Sequence, residues 1–225
     1  GIQVYGNLNL DQYSFGNQGH LSLFNGAVIE NAKIGVILAK SDGRVYPNST
    51  GGIVQAMNSS FTNCVTGVAF HRYENYLNSV NNIKNNLSYL NCCTFKLDTN
   101  YNHVFFTPKM FIFMDGVRGI PIKGCTFLNE IKSSDYEDAT EINPDEMMGI
   151  VSANSSFMVN EYCLHQFVPC DTSVASRFEN LNYGIYAVNY GSEKHPFIGN
   201  SDFIRNKTGV YFGAINNAEI VLNYF

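Results

Sequence analysis

The chain has 225 residues, with 14 Lys and Arg against 19 Asp and Glu for a net charge of −5, a balance that does not draw in nucleic acid or an anionic membrane. Its 29 Asn and 19 Gly oppose long helices, and no apolar run is long enough to span a bilayer. These totals exclude a nucleic-acid-binding domain, a transmembrane helix and a helical bundle.

From the N-terminus, an irregular first stretch gives way at Ala27 to a recurring unit. Ile29 is followed by Gly35-Val36, Phe61 by Gly67-Val68, Phe178 by Gly184-Ile185 and Phe203 by Gly209-Val210. Phe95, Phe127 and Phe157 hold the same landmark position without the Gly, and Phe225 begins a further copy. Fixed spacing inside a unit with uneven spacing between units is the mark of a coiled repeat that carries loop insertions. A small residue stands two before each landmark, at Ala27, Ser59, Cys93, Cys125, Ser155, Ser176 and Ser201. Five before it come Phe24, Ala56, Leu90, Ile122, Ser152, Ser173, Ile198 and Ile220. Two short strands per unit follow from this alternation.

The Gly is expected to supply a backbone angle open to few residues, turning the chain into a third strand. That strand would point Val36 and Leu38, Val68 and Phe70, Ile185 and Ala187, and Val210 and Phe212 inward. Asn31, Asn63, Asn129 and Asn180 follow two residues after their landmarks and predict an asparagine ladder at a tight bend. Three strands per turn, stacked like on like, predict an all-β fold, a parallel β-helix (solenoid) of about seven to eight turns with loop insertions. Right-handed crossovers are the general preference. The rival is a β-sandwich, which does not explain why one register repeats in kind. Residues 76–90 read as a loop or irregular strand. Residues 1–225 are expected to form one domain, with an irregular first turn and a truncated last one, cut from a longer chain.

Several phrases along the repeat, NLSYLNCCTF ending at Phe95, VRGIPIKGCTF ending at Phe127 and SRFENLNYGIYAV around Phe178, resemble bacterial secreted proteins with right-handed parallel β-helix repeats. The group meant is the one that carries a C-terminal sorting domain for type IX secretion, a domain not found in these residues. The resemblance runs from about Ala27 onward. It implies an extracellular or cell-surface location and no particular reaction.

Cys93 and Cys125 share a register and are expected to stack inside the coil as small apolar residues, with Cys92 beside them. Cys163 and Cys170 are candidates for a disulfide closing a short loop, and no Cys or His spacing suggests a metal site. The acidic run that includes Asp135, Glu137, Asp138 and Glu141 reads first as a solvated loop and second as a calcium site of hard oxygen ligands. No other cofactor is implied. His71-Arg72-Tyr73 offers a base beside a cation, as a lyase would need, but no second basic cluster shares its register.

Tyr186 and Tyr211 are expected to stack on one outward face with Tyr183 and Tyr190 close by, a set suited either to a sugar ring or to bracing neighbouring turns. The preferred function is a non-catalytic stalk, adhesin or glycan-binding scaffold whose partner is a polysaccharide or surface glycan. Two alternatives stay open: a polysaccharide lyase or glycoside hydrolase, by analogy of fold alone, and a fibre subunit that associates end to end through open strand edges.

Overall fold

The computed structural model describes residues 1–14, 16–77, 82–101, 109–131, 146–164, 170–191 and 193–225. It is all-β with long parallel sheets. Sheet A holds seven strands: Ile2–Gln3, Ile34–Ile37, Thr66–Phe70, Met110–Asp115, Met148–Ala153, Tyr183–Val188 and Thr208–Gly213. Sheet B also holds seven: His20–Leu23, Ile53–Met57, Tyr89–Asn91, Ile120–Lys123, Phe157–Asn160, Phe197–Gly199 and Glu219–Val221. Sheet C holds six: Val28–Glu30, Ser60–Thr62, Thr94–Leu97, Thr126–Asn129, Ser176–Glu179 and Ser201–Ile204. The chain visits B, then C, then A in each circuit, and within every sheet the strands stand in sequence order. All pairings in these sheets are parallel, unlike the antiparallel sheets of a sandwich. Two short antiparallel hairpins project from the circuits, Asn75–Tyr76 with Ile83–Lys84 and Tyr162–Cys163 with Ser173–Val174.

Like stacks on like because the pairing is in register. Ile29, Phe61, Phe95, Phe127, Phe178 and Phe203 are mutual partners along sheet C. Their rings form a ladder with centroids 4.7, 5.0, 4.5 and 4.8 Å apart from Phe61 to Phe203, and Phe225 extends it at 5.0 Å. Each such contact adds about 0.5–1.5 kcal/mol beyond simple burial. Phe157 is not a rung: it pairs with Ile120 in sheet B, so the landmark row has one member fewer than the spacing predicts. A Phe flanked by small and polar residues at period two looks the same in either sheet. For the same reason Val159, not Ser152 or Ser173, continues the inward row of Ala56, Leu90, Ile122, Ile198 and Ile220. That row starts at Leu23 rather than Phe24. Asn25 and Gly26, both at positive φ, lengthen the first corner by one residue.

The repeated Gly works by absence of bulk and not by its backbone angle. Gly35, Gly67, Gly184 and Gly209 lie in sheet A strands outside the positive-φ set. A Cβ on Gly184 would lie 2.6 Å from the Gly209 carbonyl oxygen and 2.8 Å from the Phe203 ring. Each Gly thus admits the phenyl ring of the next circuit. Gly149 occupies the same register, opposite Gly184. In the circuit between Gly67 and Gly149 the position is Phe111, whose ring tilts against Phe95 and Phe127 at 6.2 Å from each. The expected inward pairs of the third strand, from Val36 and Leu38 to Val210 and Phe212, belong to one continuous core.

Asn31, Asn63 and Asn180 adopt φ near 55°, a left-handed conformation in which Asn is favoured. Asn129 instead lies in a strand, opposite Leu97. Asn180 Nδ2 donates to the Asn129 carbonyl of the preceding circuit at 3.0 Å, whereas Asn63 and Asp98 exchange two bonds of 2.9 Å. The outer faces differ in character. Sheet C turns out a mixed row, Thr62, Lys96, Leu128, Glu179 and Ile204, with Lys96 paired to Glu130 and Glu179 to Arg177 and Arg205. Sheet A turns out Ile37, Ala69, Phe113, Val151, Tyr186 and Tyr211.

Candidate binding groove

Sheet B alternates inward and outward residues. Between the inward Leu90, Ile122, Val159 and Ile198 stands the outward row Tyr89, Pro121, Met158 and Phe197, continued by Gln55 on one side and Glu219 on the other. At a strand spacing of about 4.8 Å, Tyr89 to Phe197 spans about 14 Å. Met158 is 38 % exposed and the other three are half-buried. Pro121 contributes a flat apolar ring and has no N–H to give to the ladder.

Two hollows open along this row and meet at Pro121. One, of about 480 Å³, is lined by Tyr89, Asn91, Lys123, Asn160, Glu161 and Tyr162. Its wall is the hairpin that follows Asn160, where Cys163 and Cys170 are joined as a disulfide. Glu161 is held in place by hydrogen bonds from Ser173 Oγ and Asn200 Nδ2. The other hollow, of about 390 Å³, is lined by Asn85, Arg118, Ser156, Lys194, His195 and Phe197. Its wall belongs to the segment linking the Tyr183–Val188 and Phe197–Gly199 strands. Lys194, only 8 % exposed, fastens that segment to earlier circuits. Its Nζ donates to the Gly116 carbonyl at 2.9 Å and pairs with Glu74. Asn189 Nδ2 in turn donates to the Lys194 carbonyl. Arg118 Nε lies 3.7 Å from the other oxygen of Glu74.

The result is a shallow groove with flat apolar surfaces on its floor and amides, carboxylates and cations on its rim. Such a mixture binds a ring that is apolar on its faces and polar at its edge. Among the described residues, no group of three or more His, Cys, Asp or Glu is placed to hold a metal ion.

Of the tyrosines singled out from the sequence, three come together. Tyr186 and Tyr211 stack with centroids 4.8 Å apart, and Tyr183 meets both edge-on at 5.3 and 6.1 Å. Stacking between circuits consumes ring faces, and Tyr211, 42 % exposed, keeps its outer one. Tyr190 lies past the end of the strand, 77 % exposed, with its amide bonded to Asn154. Asp135, Glu137, Asp138 and Glu141 lie outside the described residues. His71 is half-buried against the Phe113 ring; burial pushes its pKa down, against the opposing charge of Asp115. Tyr73 is buried with its hydroxyl donating to the Leu10 carbonyl, and burial drives its pKa well up.

No motif in the sequence marks out Tyr89, Pro121, Met158 or Phe197. The available signal was alternation: each stands one residue before an inward position. Placing Phe157 in the landmark row put Met158 out of step with its neighbours and hid the row. Compared with protein-family models, with curated proteins and with solved structures, the chain matches none of them.

Proposed function

We propose that the three sheets form a right-handed parallel β-helix of a secreted bacterial protein, and that its sheet B groove binds an extended polysaccharide without cleaving it. The observation that carries this reading is the outward row Tyr89, Pro121, Met158 and Phe197, which lines two hollows meeting at Pro121. A floor of about 14 Å fits a few consecutive sugar rings better than one small molecule. The right hand rests on the general preference of parallel crossovers and on the resemblance of the repeat phrases. Export rests on the same resemblance, and the Cys163–Cys170 disulfide is in keeping with an oxidising compartment.

The test is a glycan array followed by calorimetry on the polysaccharides retained. Tyr89→Ala and Tyr162→Ala should each weaken binding about tenfold, equivalent to about 1.4 kcal/mol, whereas Tyr211→Ala should leave it within about twofold. The reverse pattern would assign the glycan to the tyrosine cluster of sheet A. New reducing ends or unsaturated products in the same incubations would sink the non-catalytic reading and favour a hydrolase or lyase.

A further inference from the structure

We infer that the hollow beside Arg118 is a subsite for a sugar carboxylate, so that the polysaccharide of this groove carries acidic residues; the inference rests on the groove reading above. Three charged side chains meet behind this hollow. Glu74 supplies one carboxylate, and two cations, Lys194 and Arg118, lean on it. Lys194 has the better share, holding Glu74 Oε1 and the Gly116 carbonyl together. Arg118 has the poorer one. Its Nε is buried without a hydrogen-bond partner, and the nearest acceptor, Glu74 Oε2, stays 3.7 Å away and is itself unbonded.

Arg118 is thus held less firmly by Glu74 than Lys194 is, and with a third of its side chain exposed it lines the open hollow. A guanidinium is a planar fork of donors matched to a carboxylate, which it takes in two parallel bonds. The acidic residues facing the hollow, Glu193 and Glu219, are exposed at its rim, where solvent and salt screen them. His195 sits on the same rim with its Nδ1 against the Glu193 carbonyl. Phe197 and Pro121 offer apolar faces beside Arg118, and Asn85 and Ser156 offer polar groups. A ring whose carboxylate reaches Arg118 while its face lies on Phe197 satisfies both halves of the hollow.

The experiment uses the whole chain and two probes, a polyuronate and the same polymer with its carboxyl groups chemically reduced. The acid form should bind at least tenfold more tightly, with a preference that shrinks as salt rises from about 50 to 500 mM. Arg118→Gln should bring the acid form down to the affinity of the reduced one and leave the reduced form unchanged. Arg118→Lys, which keeps the charge and loses the fork, should fall between. Because the two polymers are compared on the unaltered protein, a variant that folds poorly does not blunt the test. Equal binding of both polymers, still weakened by Tyr89→Ala, would overturn the carboxylate subsite and leave the groove standing. Failure of every polysaccharide in the array to bind would overturn both.

Discussion

The corner that leads from sheet B to sheet C and the corner that leads from sheet A to sheet B belong to the same circuits and obey opposite rules. The first is tight in most circuits and opens widely only after Asn160, where the disulfide-closed hairpin is inserted before Ser176. Asn58, Cys92, Gly124, Asn200 and Leu222 each take φ between 43° and 61°, and each is followed by one residue that bends back on the strand just left. Ser59, Cys93, Cys125, Ser201 and Asn223 give a side-chain hydrogen bond to the carbonyl two residues earlier. With only two residues to reverse direction, the backbone allows few solutions, and the chain reuses one. The second corner ranges from the three residues 154–156 to the stretch 71–88, which includes a hairpin. Nothing in the stacking constrains it, and Glu74, Arg118 and Lys194 all come from it. Invariance builds the stack here, and variation builds the candidate site.

The largest effect should come from removing a rung of the ladder on which the tight corners converge. Phe127→Ala empties the space between rings 5.0 and 4.5 Å away and should cost about 3–5 kcal/mol, read as a lower denaturant midpoint. A loss under about 1 kcal/mol would show that neighbouring circuits close the gap. Next comes Gly184→Ala, whose methyl group would press on the Gly209 carbonyl and the Phe203 ring. Overpacking of this kind should cost about 1–3 kcal/mol, measured in the same way, and an unchanged midpoint would refute the steric account of the glycine row.

A gain is expected at the tight corner itself. Cys92 holds φ 50°, a conformation that Asn tolerates better than most side chains. Cys92→Asn should stabilise by about 0.5–1 kcal/mol, seen as a higher Tm, and a lower Tm would count against the corner rule. The smallest effect is at the start of the variable corner. Burial lowers the pKa of His71, and the charge of Asp115 only partly offsets this. The unfolded chain therefore takes up the proton near pH 6.5 while the folded one resists it. The stability contributed is complete above that pH and is lost as pH falls toward the folded value. His71→Gln should flatten Tm against pH between about 5 and 7; an unaltered slope would place the titration elsewhere.

How much of this was legible follows from the same contrast. The Phe ladder, the inward pairs of the third strand and the shared register of Cys93 and Cys125 could be read because stacked circuits demand the same kind of residue at the same point. The glycine row was visible and its cause was not, since the ring that needs the space comes from the next circuit. Phe157 was misplaced because period-two alternation carries no label saying which sheet a strand joins. The floor of the groove was open to the same alternation, but its walls could not be read. They come from hairpin and corner segments that share no spacing, and Lys194 reaches Gly116 across 78 residues. The sequence by itself determined a stacked all-β repeat, because local alternation and like-on-like packing are written in residue order. Only the tertiary structure decided which strands share a sheet and which distant side chains face one hollow, because those depend on how circuits with corners of unequal length come to lie side by side.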